Sequence, residues 1–299
     1  MPVVFKNYTS TPGFTPEYER IHRFLLRLND LEVVNEGFLW GRWEWMFSLP
    51  YLDTSCLHTI GIWEDAGKIV AVATFEQKPG DVWLCVEPEY AHLKQEMLQY
   101  AMQYLSEEGK VRVLIADNDR QLQQLAAGFG FRPTQEREYN AVIPIGDSLP
   151  EYTLPEGYRI VSLAEELDLR QYNRVLWRGF NHEGEAPEAE EKLESRRNEL
   201  SGPHGDLNLK IAVAAPNGNF VAYCGMWHLP GNDYALVEPV ATDPDYRMKG
   251  LGKAAVLEGV RRCGERGAKQ AFVGSSQQFY YSIGFRPYST WTWWKYSGH

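Results

Sequence analysis

A chain of 299 residues, 44% hydrophobic and 23% charged, has room for two globular domains and fits neither a disordered nor a collagen-like class. Its formal net charge of -10 argues against a general nucleic-acid binder, whose affinity for phosphate rests on a basic surface. No apolar run approaches the roughly 18 residues of a membrane span, and the start "MPVVFKNYTS" lacks the layout of a secretory signal, so a cytoplasmic protein with no membrane partner is expected.

In chain order, "PEYERIHRFLLRL" from Pro16 is predicted helical, and "WGRWEWMF", Trp40 to Phe47, reads as core or interface aromatics rather than a substrate cage. Strand-like runs follow at "LHTIGIWED", "KIVAVATFE" and "DVWLCVE", then a helix, the short strand "VRVLIAD", a second helix and a closing strand. The second half repeats the order: the helical "AEELDLRQYNRVLWRGF", the strands "LKIAVAA", "NFVAYCGMW" and "YALVEPVAT", a helix, "QAFVGSS", a short helix and a closing strand. Each half is an α/β unit of mixed sheet and helices. The cysteines Cys56, Cys85, Cys224 and Cys263 are isolated, with no C-x-x-C pair, so buried reduced thiols and no metal site are expected.

The halves also share words. "GFRP" occurs at Gly130 to Pro133 and again 154 residues later at Gly284 to Pro287. "PEY" at Pro88 answers "PDY" at Pro244, and "GKIVAVA" from Gly67 answers "GNFVAYC" from Gly218. Three matches in one order at nearly one offset indicate a duplicated domain. The seam is "GDSLPEYTLPEG", Gly146 to Gly157, which carries two prolines and no periodicity. The expected division is a domain at 1–146, a linker at 147–156 and a domain at 157–299.

In so acidic a chain, a bound anion must be met locally, and "DPDYRMKGLGKAAV", Asp243 to Val256, offers the means. Gly250 and Gly252 stand at the expected start of a helix whose apolar positions are Val256, Val260 and Cys263. Free N–H groups and the positive end of the helix dipole attract anions there, and Arg247, Lys249 and Lys253 add charge. Glycine at both positions is expected to admit a phosphate close to the backbone. The P-loop pattern fails because Ala254 follows Gly252-Lys253 and position 247 is Arg. "GLGKAA" fits the dinucleotide G-x-G-x-x-A, but seven residues separate Thr242 from Gly250 and no acid stands near Gln270 to hold a ribose. A nicotinamide-dependent oxidoreductase survives only through that hexapeptide.

The run R-x-x-G-x-G from Arg247 to Gly252, preceded by V-x-x-x-P, resembles the acyl-CoA pyrophosphate loop of the GNAT superfamily of N-acetyltransferases. "FYYSIGF", Phe279 to Phe285, is similar to the family's Y-x-x-x-G-F signature. The resemblance covers most of Leu209 to Phe285 and implies two tandem GNAT-like domains, each a mixed, mostly antiparallel sheet flanked by helices. It implies that acetyl-CoA is the acyl donor. Backbone groups at Val240 and Thr242 would hold the thioester and pantetheine arm, and Arg247, Met248, Lys249, Gly250, Leu251, Gly252 and Lys253 the pyrophosphate. Where many members carry an asparagine before the second helix, this chain has Ser275 and Ser276.

Amide formation from a thioester needs a neutral amine, a polarised carbonyl and a proton for the departing sulfur. Glu238, in the strand before the loop among apolar neighbours that would raise its pKa, is the candidate base, although period-2 alternation leaves open which way it faces. Pro239 has no N–H, so the strand is not expected to pair continuously there. Tyr280, the matched tyrosine, is the candidate acid. In the first half Glu238 corresponds to Val82, Arg247 to Ala91, Gly250 to Lys94, Gly252 to Glu96 and Tyr280 to Ala126, which makes that copy a non-catalytic partner.

The function expected is transfer of an acetyl group to a primary amine of a small molecule; the alternative is a non-enzymatic acyl-CoA-binding module. The six glutamates of "NHEGEAPEAEEKLE", Asn181 to Glu194, border the acceptor side by the resemblance and would attract a cationic amine, or are a solvated face. His182 is an alternative base or an exposed residue of an acidic loop. "WTWW", Trp291 to Trp294, reads as core.

Overall fold

The computed structural model describes residues 2–29, 33–146 and 149–297. In chain order the elements are β1 (Val4–Asn7), α1 (Pro16–Leu28), α2 (Trp40–Ser48), β2 (Gly61–Asp65), β3 (Lys68–Thr74), β4 (Asp81–Val86), α3 (Lys94–Tyr104), β5 (Lys110–Ala116), α4 (Arg120–Gly128) and β6 (Arg132–Pro144). They continue with β7 (Arg159–Ser162), α5 (Leu169–Gly179), α6 (Glu190–Glu199), β8 (Lys210–Ala214), β9 (Phe220–Trp227), β10 (Tyr234–Thr242), α7 (Leu251–Glu265), β11 (Gln270–Val273), α8 (Gln278–Ser282) and β12 (Arg286–Ser297). The helix predicted at Pro16 starts where capping dictates: Thr15 accepts the Tyr18 amide, Pro16 takes the first helical position, and Glu17 and Glu19 face the dipole. The tryptophan-rich segment is α2, with Trp40, Trp43 and Met46 in the core.

Two compact units divide the chain. The first is Met1–Asn140 with Tyr288–His299, and the second is Ala141–Pro287. In the first, the strand order is β1-β2-β3-β4-β5-β12; in the second it is β6-β11-β10-β9-β8-β7. Only β4 with β5 and β10 with β11 run parallel, and the other recorded pairs within the units are antiparallel. Each sheet is therefore mixed and mostly antiparallel, as expected.

The units differ from the halves read in the sequence in their last strand. β12 pairs with β5, from Trp291 opposite Ala116 to Ser297 opposite Lys110, while Ala141 to Pro144 of β6 pair with β11. Backbone pairing carries the tail of each half into the sheet of the other unit. Asp147 and Ser148, at the start of the expected linker, lie outside the described residues. Residues 149–156 have no regular structure, yet they do not behave as a free spacer: Leu149, Tyr152 and Leu154 pack on the second unit's core.

The sheet of the second unit is covered on both faces. Ile211, Val213, Cys224, Met226, Val237 and Val273 pack under α7 and α8, and Ala212, Ala214, Phe220, Tyr223 and Ala241 pack under α5. Burial on both faces explains why β9 reads as a continuous apolar run. Among the cysteines Cys85, Cys224 and Cys263 are buried thiols as expected, whereas Cys56 is only half-buried. Among the described residues no helix is long and apolar enough to cross a membrane.

Candidate active site

The site is built where β10 leaves β11. Their parallel pairing runs from Tyr234 opposite Gln270 to Leu236 opposite Phe272 and stops. On its other edge β10 stays bound to β9 but slips: Val237 faces Met226 and Val240 faces Cys224, so Glu238 and Pro239 together oppose Gly225. This is a β-bulge, and it returns both Val237 and Val240 to the core face beneath α7. Gly225 is what makes room, since a Cβ there would lie 2.6 Å from the Glu238 carbonyl oxygen. The Trp227 indole N–H donates to that carbonyl at 2.8 Å, and the buried Lys210 ammonium sits 3.5 Å from the centre of the Trp227 ring. The Glu238–Pro239 peptide is cis.

Past the bulge, antiparallel alternation decides where backbone groups point. The Asp243 amide bonds the Val221 carbonyl at 2.9 Å, so residues 243 and 241 exchange bonds with β9, and those of Val240 and Thr242 face away from it, toward the side that β11 has left open. Arg247 takes the Thr242 carbonyl. The Val240 amide and carbonyl are the groups a bound thioester chain could pair with.

The strand ends in Asp243, a fully buried carboxylate that accepts the Asp245 amide and opens the 3-10 turn Pro244–Tyr246. Arg178 and Arg174 of α5 bond it at 2.7 and 3.0 Å. Burial pushes its pKa up, but the Arg178 bond, the Asp245 amide and the two guanidinium charges outweigh that and hold the carboxyl below its ordinary range. Arg178 also bonds Asp245 at 2.6 Å, so α5 grips the loop that follows.

That loop leads to the start of α7. Met248, fully exposed at φ 61°, and Gly250 at φ 76° are both left-handed. The first α7 bond recorded from outside the helix proper is Ala254 N–H to the Gly250 carbonyl, at 2.9 Å, so the amides of Leu251, Gly252 and Lys253 precede any intrahelical acceptor. Nothing lies within 4 Å of a Cβ added at Gly250, which leaves the approach to these amides open. Leu251 itself is a core side chain, so only its amide can serve a ligand. The Lys249 ammonium lies 4.9 Å from the Tyr246 ring centre, and Lys253 is half-buried in the first helical turn.

Gly252 requires a correction. It is buried, and an added Cβ would meet Thr242 Oγ1 at 2.8 Å and Phe279 Cζ at 3.5 Å. The missing side chain lets α7 press against the end of β10; of the two glycines, only Gly250 has open space beside it. Arg247 also points elsewhere than the motif suggests, bonding the Gly179 carbonyl and the Asn181 side chain as well as Thr242.

Tyr280 sits in α8, 7% exposed, edge-on to Phe279 and Phe285. Its pKa is driven well above the ordinary value, first by burial and then by Cys224 and the charge of Glu238. The candidate base and acid come from β10 and α8, and the charge of Glu238 is one of the influences that raise the Tyr280 pKa. The phenol is therefore protonated and neutral at physiological pH.

Outlying candidates disperse. Ser275 accepts the Gln277 amide in a turn. His182 stacks on Trp177 at 4.4 Å, remote in sequence from the bulge. Within the glutamate run, Glu188 pairs with Arg170 at 3.6 Å and Glu194 with Arg197, which favours a solvated face for those two. The sequence reading missed Arg178, Asp243, Gly179 and Gly225; the capping pattern D-P-D at Asp243 was a visible signal, whereas the other three act only through tertiary contact.

Residues 169–285 match the Acetyltransferase (GNAT) family. Among solved structures, the chain is similar to a GCN5-related N-acetyltransferase from Sphaerobacter thermophilus, at 14% identity and TM-score 0.63 over 98% of this chain and 95% of that one. A tandem GNAT protein from the clavulanic acid biosynthesis pathway aligns at 13% identity and TM-score 0.63 over 100% and 99%. N-myristoyltransferase from Saccharomyces cerevisiae, with bound myristoyl-CoA, aligns at 12% identity and TM-score 0.53 over 99% and 78%. At these identities the likeness is one of fold. No curated protein is significantly similar to the chain in sequence.

Proposed function

We propose that the chain is a tandem GNAT protein, on the match of residues 169–285 to the acetyltransferase (GNAT) family and the likeness of fold to a tandem GNAT protein, and that it transfers an acetyl group from acetyl-CoA to a primary amine of a small molecule. The observation that carries this reading is the parting of β10 from β11 after Leu236, directly upstream of the open helix start at Gly250. A thioester chain lying in the gap pairs with the Val240 backbone, and the amides from Leu251 to Lys253 receive the pyrophosphate, with Lys249 and Lys253 supplying charge. Likeness of fold to an enzyme that binds an acyl-CoA supports the same placement.

Glu238 accepts a proton from the incoming ammonium, directly or through a water, and frees its lone pair. The neutral nitrogen attacks the thioester carbonyl, a C–N bond forms, the C–S bond breaks, and the nitrogen gives up its second proton to solvent as the amide forms. Tyr280, kept protonated by burial and by the charges beside it, gives its proton to the departing sulfur and regains one from solvent. The first unit takes no part in the chemistry.

The test has two stages. CoA, and not NAD, raises the melting temperature of the intact chain, and an amine panel then gives release of CoA thiol. Stabilisation by NAD alone would overturn the reading. Stabilisation by CoA without thiol release across primary amines would favour a non-enzymatic acyl-CoA-binding module.

A further inference from the structure

Arg247 matches the first position of the donor-loop motif, but its guanidinium is spent on the other side of the loop. Nε donates to the Thr242 carbonyl at 3.2 Å, and one terminal nitrogen donates to the Gly179 carbonyl at 3.1 Å and to Asn181 Oδ1 at 2.8 Å. All three acceptors belong to the end of β10 or to the end of α5 and the residues just past it. Gly179 is the last residue of α5, so no amide within the helix reaches its carbonyl, and the negative end of the dipole favours a cation there. Asn181 is left-handed at φ 59°, a conformation asparagine adopts more readily than most residues.

The segment beyond Asn181 is fastened back on the same helix. Trp177 stacks on His182 and donates its indole N–H to the Gly184 carbonyl at 3.2 Å, and Asn173 donates to the Pro187 carbonyl at 2.8 Å. From the opposite direction, Arg178 of α5 reaches Asp243 and Asp245 at the start of the donor loop. Two arginines therefore cross between the helix end and the loop, one supplied by each. The close fit of Gly179 leaves little freedom, since an added Cβ would lie 2.6 Å from that of Ala241.

We propose that Arg247 is a positioning residue that ties segment 180–189, on the acceptor side, to the donor loop, so that filling the donor site orders that segment. The proposal rests on the donor-site reading given above. A ligand held by the amides after Met248 fixes the backbone next to Arg247 and lowers the entropic cost of holding its bond to Asn181; by linkage, an ordered segment favours the ligand to the same degree. Arg247 on this account contributes little direct grip on the pyrophosphate.

Hydrogen–deuterium exchange of peptides covering 180–189, on the full chain with and without CoA, reads the tie without knowledge of the acceptor. In the unsubstituted protein CoA slows exchange of this segment by about fivefold or more, the lower range of allosteric couplings. Asn181→Gly keeps the left-handed backbone but removes the acceptor atom. It abolishes the protection while CoA affinity falls by no more than the coupling itself, and Asn181→Asp, which retains an acceptor oxygen, restores it. Arg247→Ala behaves as Asn181→Gly does, and combining the two adds nothing further. Equal protection by CoA in Asn181→Gly and in the unsubstituted chain would overturn the tie, as would a loss of CoA affinity in Arg247→Ala far beyond that in Asn181→Gly. If the unsubstituted chain fails to bind CoA, the donor-site reading falls instead; faster exchange in unliganded Asn181→Gly than in Asn181→Asp still reports the bond.

Discussion

The two units solve the same packing problem with equivalent parts and differ where the chemistry would be. Glu87 and Asp243, at the ends of β4 and β10, are both buried acids followed by proline and a 3-10 turn, and both are held by an arginine from the preceding long helix, Arg27 in α1 and Arg178 in α5. In both, the residue after the left-handed glycine of "GFRP" bonds back five positions: Phe131 to the Ala126 carbonyl at 2.9 Å and Phe285 to the Tyr280 carbonyl at 3.1 Å. Ala126 thus occupies the structural position of the candidate acid. In the first unit β3 and β4 pair without slippage from Ala71 opposite Val86 to Thr74 opposite Trp83, and the pairing ends before Val82, the counterpart of Glu238. In place of a left-handed glycine it has Lys94 in right-handed helical geometry, bound to Asp119 at 2.6 Å, and Glu96 accepts the Trp63 indole at 2.8 Å. Groups that could meet a ligand in one unit have turned to one another in the other. A duplicated frame can keep its burial and capping while a handful of backbone irregularities and side chains carry all of the chemistry.

The sharpest way to break this comparison is at Tyr280. Tyr280→Phe keeps the buried ring and its contacts with Phe279 and Phe285 and removes only the hydroxyl that would give the proton, so acetyl transfer should slow by about 100-fold or more, with CoA affinity unchanged. Steady-state kinetics beside calorimetric titration separates the two, and the same titration should give one CoA per chain. A second equivalent would show that the Lys94–Asp119 pair does not close the first unit's loop.

The next contrast lies between two glycines that the sequence treats alike. Gly252→Val forces a side chain against Thr242 Oγ1, so stability should fall by about 1–3 kcal/mol together with CoA affinity. Gly250→Ala meets open space but must hold φ 76°, costing about 1 kcal/mol, with its larger relative effect on CoA. Thermal melts and titrations of both variants check the order; a fully stable Gly252→Val would show that α7 has other room to sit against β10.

The contrast between these glycines also marks how far the sequence could be read. Turn signals and motifs are local, so the paired "GFRP" turns and the donor loop were legible from Gly130, Gly284 and the run from Arg247 to Gly252. The interruption at the bulge was legible from Pro239, but its register was not, because the slip that sets which way Glu238 faces depends on Gly225 in a neighbouring strand. Nor could the pattern of "WTWW" say which strand it would pair with, since apolar strands of either half have the same period; backbone pairing with β5 placed it. Arg247 looked like a phosphate ligand because motif position records where a residue stands, not where its guanidinium finds acceptors.

The smallest effect expected on CoA binding comes from a charge that the second unit carries on α7 and the first lacks at the corresponding position. On α7, Glu258 is buried and bonded by Arg261, Arg262 and the Tyr152 hydroxyl; at the repeat offset α3 has Met102, which cannot ionise. Burial alone would raise the Glu258 pKa, but the two arginines and the tyrosine bring it down to about 2, from an ordinary 4.5. A pKa depressed in the folded state stabilises fully above the unfolded value and less as pH falls through the folded one. Glu258→Gln should therefore lower stability at pH 7 by roughly 2 kcal/mol, because it leaves two guanidinium groups without their carboxylate, and the gap to the unsubstituted protein should narrow steadily between about pH 4.5 and pH 2. Denaturant melts across that range measure the gap, and amide exchange assigns it: the acid-sensitive part should be α7 and the strands beneath it, with α3 unchanged. A gap that stayed constant with pH would mean that Glu258 acts through packing and hydrogen bonding alone, and the charge difference between the two helices would then have no part in how the units differ in stability.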